Sequence, residues 1–126
     1  MTLPYLDGEP VISMRIKGPL GQWRKFWGYL DSGAGYSVFH IDVAEMLGID
    51  IYKGREINLT VGDGSKITAY VHKISVRFAE KEFTADIAFS SGLGIGTNII
   101  GMKSFFDKFC ICFNNKKQEV DISFLK

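Results

Sequence analysis

The sequence predicts an all-β domain with one or two short helices, folded as a single unit over residues 1–126. Three observations lead to this prediction. Apolar and polar residues alternate with the two-residue period of a half-buried strand over much of the chain, whereas helical periodicity is scarce. Turn-forming, glycine-containing segments separate the alternating stretches. The 126 residues are 46% hydrophobic and include ten Phe, which is enough for one buried core and leaves little room for a second domain.

The segment before Asp31 is predicted to form two strands joined by a turn. Val11–Ile16 alternates as a strand does, and Gly18–Gly21 has the composition of a turn. A second strand is expected from Trp23 to Leu30, and it delivers the chain to Asp31.

A short strand at Val38–Ile41 is expected to lead into a helix. Asp42–Glu45 has the form of a capping box, with an acceptor side chain at the N-cap and a Glu three residues later. Gly48 is a natural left-handed terminator, so the helix is expected to end there.

Two hairpins are expected in the middle of the chain. Ile57–Val61 and Lys66–Val71 alternate on either side of Gly62-Asp63-Gly64-Ser65, which is a strong hairpin signal. A second hairpin is expected from Ile74 to Phe89, with its turn near Ala79–Glu82.

The last third of the chain is predicted to begin with a flexible connection at Gly92–Gly96. A phosphate-binding loop is not expected there, because no Lys-Ser/Thr pair follows. The elements that follow are a short helix over Met102–Phe109 with Phe105, Phe106 and Phe109 facing inward, a strand with Ile111 and Phe113 alternating with two cysteines, a turn at Asn114–Lys117, and a final strand over Glu119–Leu125.

The charge balance argues against nucleic acid as a partner. Fifteen basic and fourteen acidic residues give a net charge of +1. Gln22–Trp27 mixes bases with aromatic residues, as single-strand binders do, but alternation along one strand favours a structural role.

No membrane segment, metal or cofactor is expected. The chain has no apolar run of about 18 residues and no secretory leader pattern at its start. Cys110 and Cys112 are expected to be buried thiols in a reducing compartment, so we predict a cytoplasmic location. His40 and His72 are the only histidines, too few for a metal site at ligand spacing.

The residues that carry chemistry are centred on Asp31. A carboxylate directly after an apolar strand is drawn toward the interior, and Gly33 allows the chain to pass close to a neighbouring group. Leu30 and Ala34 keep the surroundings apolar. The alternative is an ordinary surface turn in which the Asp31 and Ser32 side chains bind nearby backbone.

Two separated motifs resemble those of the retropepsin-like aspartic proteases. Tyr29-Leu30-Asp31-Ser32-Gly33-Ala34 is similar to that family's apolar-apolar-Asp-Ser/Thr-Gly-Ala pattern at the end of a strand. Asn98-Ile99-Ile100-Gly101-Met102 resembles its later apolar-apolar-Gly motif, and 104–113 resembles the helix and strand that follow. The resemblance extends over roughly 11–113 of the sequence.

The resemblance implies a closed acid-protease barrel, a homodimer and an aspartic endopeptidase that acts on polypeptides. Asp31 would be the catalytic carboxylate. The other residues to which the resemblance assigns roles are dyad support (Ser32, Gly33, Ala34), a flap over the substrate (Val61, Gly62, Asp63, Gly64, Ser65), and a structural motif (Asn98, Ile99, Ile100, Gly101).

A homodimer also follows from the chemistry. Peptide hydrolysis of this type needs two carboxylates that share one proton. The chain has one Asp-Ser-Gly-Ala, because Asp63-Gly64-Ser65 lacks the preceding apolar pair. A twofold axis beside Asp31 would supply the second carboxylate, and Glu119–Leu125 could contribute to the dimer. The alternative is an inactive dimerisation or peptide-binding module, or a chain whose partner completes the dyad.

Overall fold

The computed structural model describes residues 1–94 and 98–126, in which ten strands and one α-helix are found. The strands, in chain order, are β1 (Thr2–Pro4), β2 (Val11–Lys17), β3 (Trp23–Leu30), β4 (Ser37–His40), β5 (Arg55–Thr60), β6 (Lys66–Phe78), β7 (Lys81–Ser90), β8 (Ile99–Ile100), β9 (Phe109–Asn114) and β10 (Glu119–Phe124). Helix α1 spans Ile41–Leu47, and a short 3₁₀ turn spans Ile51–Lys53. The mostly-β prediction is confirmed. The connection predicted at 92–96 lies partly outside the described residues.

Seven strands form one sheet in the order β2-β3-β8-β4-β7-β6-β5. Strand β8 runs parallel to β3, and β4 runs parallel to β7, while the other neighbours are antiparallel. β6 also pairs with β2 through Arg15 with Arg77 and Ile16 with Val76, so the sheet turns back on itself. This return contact is two residue pairs long, and the closed barrel stays a prediction.

The core lies inside this curved sheet. The alternation seen in the sequence places Ile12, Met14 and Ile16 of β2 inward, where all three are buried. Phe78 at the end of β6 packs edge-to-face against Phe105 and Phe109, with ring centroids 5.1 and 4.9 Å apart. Such aromatic pairs add directional packing to the area that they bury.

Helix α1 begins two residues earlier than the capping box predicted. His40 is the N-cap, and its Nδ1 accepts a hydrogen bond from the Asp42 backbone N–H at 3.1 Å. Asp42 therefore lies in the first turn of the helix, where the positive end of the helix dipole stabilises its carboxylate. The prediction that Asp42 is the N-cap was wrong. The end at Gly48 is confirmed, because Gly48 has a left-handed φ of 79°.

Both predicted hairpins are present, and they share β6. This strand has 13 residues, pairs with β5 through its first half and with β7 along most of its length, and is not interrupted between them. Ala79 and Glu80 join β6 to β7 with φ of 48° and 68°. Positive φ at both central residues matches the right-handed twist of the flanking strands and makes the turn tight.

The helix predicted over Met102–Phe109 is replaced by one distorted turn at Met102–Phe106, and this prediction was wrong. Lys103 has an extended backbone and Ser104 a left-handed one, with φ of 72°. The Ser104 hydroxyl is buried and accepts a hydrogen bond from the Asp86 N–H at 3.0 Å, which holds this conformation against β7.

Three strands form a second sheet in the order β1-β10-β9. Strand β1, which pairs Leu3 with Val120, was not predicted from the sequence. β10 pairs with β9 over Glu119–Phe124 and with β1 over Glu119–Asp121, and a contribution of Glu119–Leu125 to a dimer stays a prediction. Within the described residues, the outer edges of β1 and β9 and the β1-side edge of β10 at Ser123 and Phe124 have no strand partner.

The two cysteines lie on the outer face of β9. Cys110 and Cys112 are both exposed free thiols, so the prediction that they are buried was wrong. Alternation explains it, because Phe109 and Ile111 occupy the inward positions of the same strand.

Within residues 1–94 and 98–126, no helix is long and apolar enough to cross a membrane. The same part of the chain brings together no group of three His, Cys, Asp or Glu side chains that could hold a metal ion.

Candidate active site

Asp31 lies where β3 ends and a glycine-containing loop begins. Leu30, the last residue of the strand, is buried, whereas Asp31 is partly exposed. The Asp31 backbone N–H donates to the Ile100 carbonyl oxygen at 2.9 Å. The segment next to β3 therefore fixes the backbone of Asp31, while the Asp31 side chain stays partly exposed to solvent.

The loop after Asp31 folds back on the carboxylate. The Gly33 N–H donates to Asp31 Oδ1 at 2.9 Å, and the Ala34 N–H donates to the Asp31 carbonyl oxygen at 3.2 Å. A Cβ on Gly33 would lie 3.2 Å from Asp31 Oδ1, so a side chain at this position would crowd the carboxylate. Ser32 is exposed beside them. A hydrogen bond from Gly33 orients one carboxylate oxygen and leaves the other available.

The second predicted motif is inserted directly beside this loop. Ile99 and Ile100 form β8, which pairs in parallel with Tyr29 and Leu30 and antiparallel with β4. The Asn98 side chain connects both neighbours, because its Nδ2 donates to the Trp27 carbonyl oxygen and its Oδ1 accepts from the His40 N–H, each at 2.9 Å.

Gly101 lets the two motifs approach each other at backbone distance. A Cβ on Gly101 would lie 2.5 Å from the Tyr36 carbonyl oxygen and 2.7 Å from that of Ala34. The Gly101 N–H donates to the buried Ser37 hydroxyl at 2.9 Å, and the Met102 N–H donates to the Ala34 carbonyl oxygen at 2.8 Å. Ser37 was not predicted as part of the site, since nothing near it in the sequence indicates a partner 64 positions away.

A cleft of about 400 Å³ extends from Asp31 to the β5–β6 hairpin. One wall carries Asp31, Gly33, Ala34 and Tyr36, and the opposite wall carries residues from both hairpin strands. Residues of that opposite wall are Leu59, Thr60, Val61, Gly62 and Ile67. Of the predicted flap residues, Val61 and Gly62 thus face the same cleft as Asp31.

The remaining flap residues form the hairpin tip. Asp63 Oδ1 accepts hydrogen bonds from the Ser65 hydroxyl at 2.5 Å and from the Ser65 N–H at 2.9 Å. The hydroxyl contact, followed by the backbone contact, lowers the pKa of Asp63 below its ordinary value. Gly64 has φ of 86°, which an L side chain rarely adopts. The tip is an ordered turn that a charged Asp63 stabilises.

A second depression, of about 550 Å³, begins on another side of Asp31. Ser32, Tyr29 and Phe113 line it, and the two aromatic residues are 39% and 42% exposed. Asp31 therefore lies at the border between a cleft and an open, partly aromatic face.

A cationic cluster at the cleft wall was not predicted from the sequence. The Tyr36 hydroxyl accepts hydrogen bonds from Arg55 Nη2 at 3.4 Å and from Lys103 Nζ at 3.3 Å. These two contacts, the one from Arg55 foremost, lower the pKa of Tyr36 from its ordinary value. The three residues are far apart in the sequence, and no local pattern joins them.

Comparison with known proteins gives relatives by structure alone. No protein-family model matches the sequence, and no curated protein matches it. A retropepsin-like aspartic protease from Rickettsia conorii superposes with a TM-score of 0.61 and 20% identity, over 90% of this chain and 98% of that one. EIAV protease in complex with the inhibitor HBY-793 superposes with a TM-score of 0.55 and 18% identity, over 76% and 84% of the two chains.

The chain has a retropepsin-like fold. The resemblance that the two sequence motifs predicted is thereby confirmed at the level of fold. In this retropepsin-like fold, the Asp31–Ala34 loop and the Asn98–Gly101 segment are in direct backbone contact, and the Val61–Gly62 end of the hairpin lies across the cleft from them. The roles assigned to these residues stay predictions.

Proposed function

We propose that the chain is an aspartic endopeptidase, in which Asp31 from each of two copies forms a catalytic pair at a homodimer twofold axis. One observation carries the proposal: the Asp31 carboxylate borders a cleft, and the Gly33 N–H holds one of its oxygens. An ordinary surface turn would not need the tight backbone contact between Gly101 and the loop that follows Asp31. The retropepsin-like fold supports the same reaction class.

The dimer completes the chemistry that one chain cannot perform. Two Asp31 carboxyl groups a few ångströms apart repel each other when both are ionised, so together they hold one proton. The exposed aromatic face beside Asp31 and Ser32 supports contact with a second copy on that side. In an isologous dimer, each Ser32 hydroxyl would lie near the partner's loop and could brace the pair.

The proposed reaction is a general acid–base hydrolysis. A water between the two carboxyl groups gives a proton to the ionised Asp31 as its oxygen attacks the scissile carbonyl carbon. The protonated Asp31 of the other copy gives its proton to the carbonyl oxygen, which produces a tetrahedral intermediate. The C–N bond then breaks as the amide nitrogen takes a proton from one Asp31, while a hydroxyl of the intermediate returns its proton to the other Asp31. The products are a carboxylic acid and an amine, and the pair again holds one proton.

The cleft indicates the kind of substrate. Its walls are lined mainly by apolar side chains such as Val38, Leu59 and Ile67, so an extended polypeptide with apolar residues would fit. The β5–β6 hairpin would close over that segment and exclude water. A cytoplasmic location belongs to the same proposal and rests on the sequence alone.

The test is hydrolysis of an unfolded protein from mildly acidic to neutral pH, with and without a statine-type transition-state analogue. The parent chain should cleave it and the analogue should inhibit cleavage. Asp31→Asn keeps the size of the side chain and removes the proton transfer, so kcat/KM should fall by about 10²–10⁴-fold while the circular dichroism spectrum is unchanged.

The matched control is Asp107→Asn, at an exposed aspartate after the Met102–Phe106 turn, which should retain parental activity. Equal turnover by the Asp31→Asn and parent chains would remove Asp31 from the mechanism. A parent chain that binds peptides or dimerises without hydrolysing them would instead be the inactive module.

A further inference from the structure

The cluster of Tyr36, Arg55 and Lys103 combines a wall of the cleft with two cationic side chains. The Tyr36 ring lines the cleft, and Lys103 Nζ lies 4.7 Å from the centre of that ring. Arg55 and Lys103 both donate to the phenol oxygen, at 3.4 and 3.3 Å. With its oxygen accepting from both cations, the Tyr36 O–H proton is free to donate to another group.

Backbone contacts hold this cluster at the same end of the cleft as the Asp31 loop. Tyr36 is five positions after Asp31, between that loop and β4. The Lys103 N–H donates to the Gly35 carbonyl oxygen at 2.9 Å, so the turn that carries Lys103 is fixed to the loop. Arg55 is the first residue of β5, the strand that leads to the hairpin tip.

The two cations have no carboxylate partner among the residues that the structure describes. No Asp or Glu oxygen in that part of the chain lies within 4.0 Å of Arg55 or Lys103. Asp86, whose charge acts on Arg55, is already paired with Lys73 Nζ at 3.1 Å. Arg55 and Lys103 are both exposed and meet at one phenol oxygen, so each keeps further N–H donors for an anionic ligand at this place.

We propose that the Tyr36–Arg55–Lys103 cluster is a subsite for a carboxylate side chain of the polypeptide substrate. The inference rests on the proposed function and names its substrate class: an extended, largely apolar segment with a Glu or Asp at the position that reaches this cluster. The apolar lining of the cleft selects the segment, and the cluster fixes its register relative to Asp31. A carboxylate here accepts from the guanidinium, the ammonium and the phenol O–H.

Binding to a hydrolytically inactivated chain tests the subsite separately from catalysis. The Asp31→Asn chain is titrated into a series of fluorescein-labelled decapeptides in which apolar residues alternate with polar ones. Each peptide has one Glu, at a position that differs from peptide to peptide. A matched peptide with Gln at that position accompanies each of them. For one or two positions the Glu peptide should bind roughly tenfold more tightly, as one charge-assisted hydrogen bond at a half-exposed site provides. The preference should shrink as salt is added.

Charge reversal distinguishes recognition from a structural role. Lys103→Glu, made in the Asp31→Asn background, should abolish the preference for Glu, because the new carboxylate lies beside Arg55 and cancels its charge. Tyr36→Phe should weaken the Glu preference without abolishing it, because both cations remain. Lys116→Glu, on the exposed turn between β9 and β10, is the matched control and should leave the preference as it was.

Equal affinity for Glu and Gln peptides at every position would overturn the subsite, whether or not the parent chain hydrolyses proteins. A cluster that only braces the fold would make Lys103→Glu less stable to urea without any change of peptide preference, and this result would also overturn it. Conversely, a Glu preference in a parent chain without hydrolytic activity would support the subsite while the proposed function fails.

Discussion

At Gly101 a single added methyl group would collide with the backbone of the Asp31 loop and destabilise the fold. Its Cβ would lie 2.5 Å from the Tyr36 carbonyl oxygen, and that atom belongs to the backbone and cannot rotate away. Gly101→Ala should therefore push the Asn98–Gly101 segment away from the Asp31 loop. We expect the free energy of unfolding, measured by urea titration, to fall by about 1–3 kcal/mol, the usual cost of overpacking.

Gly35→Ala is the matched control for that measurement. Gly35 lies in the same loop, yet a Cβ there would have no atom within 4 Å, and its φ is not in the left-handed range. Its substitution should change the free energy of unfolding by less than about 0.5 kcal/mol. Equal losses for both variants would mean that the backbone contact at Gly101 does not hold the two motifs together.

The residues of the site differ in how far the sequence alone could indicate them. Asp31, Ser32 and Gly33 are contiguous, so one short pattern contains the carboxylate and the N–H that holds it. Arg55 and Lys103 meet at Tyr36 only because the chain folds, and their distance in sequence hides the contact. Local patterns therefore identify the reacting group, while the surrounding charges need the tertiary structure.

At the scale of elements, the β5–β6 hairpin has an ionisable group at its tip. The Ser65 hydroxyl and N–H lower the pKa of Asp63, which means that the charged form is favoured in the folded chain. The stabilisation of the tip turn is thus fully present above the ordinary pKa of an aspartate. It is lost as the pH falls through the lower pKa of the folded chain.

Ser65→Ala removes the hydroxyl donor and keeps the backbone N–H. The pKa of Asp63, measured by NMR titration of its side-chain carboxyl carbon, should rise part of the way back to 3.8. Ser123→Ala, at an exposed serine on β10, should leave that titration unchanged. An unchanged Asp63 pKa in Ser65→Ala would show that the hydroxyl contact does not form in solution.

The strands were predictable where alternation is long, and less so where an element depends on its neighbours. β3 matches its predicted bounds, because its apolar positions alternate up to Leu30. β8 has two residues, and only its insertion between β3 and β4 makes it a strand. The spacing of Phe105, Phe106 and Phe109 fits a helix, yet Ser104 adopts a left-handed conformation that the sequence does not indicate.

At the scale of the whole molecule, two depressions meet at Asp31, and they differ in what could occupy them. The cleft toward the β5–β6 hairpin has room for an extended segment, whereas the other depression exposes Tyr29 and Phe113. A second copy on the aromatic face would leave the first cleft open and would place its own Asp31 beside that of the first chain. In the terminal sheet β1 pairs with Glu119–Asp121 and does not reach Ser123 or Phe124, so a dimer contact through Glu119–Leu125 stays a prediction.

Mixing active and inactive chains tests whether two copies share one site. The Asp31→Asn chain, which should form the same dimers by sedimentation velocity, is unfolded together with the parent chain and refolded at a fixed amount of parent. With a roughly ninefold excess of Asp31→Asn, a parent chain meets another parent chain in about one dimer in ten, so activity per parent chain should fall to about one tenth.

Substrate is kept in excess over all chains, so that binding by inactive dimers does not deplete it. Because Asp107→Asn is itself active and pairs productively, the same excess of that chain should instead raise the total activity in proportion to all the chains present. Constant activity per parent chain across all mixtures would mean that one Asp31 suffices, and the shared carboxylate pair would then be wrong.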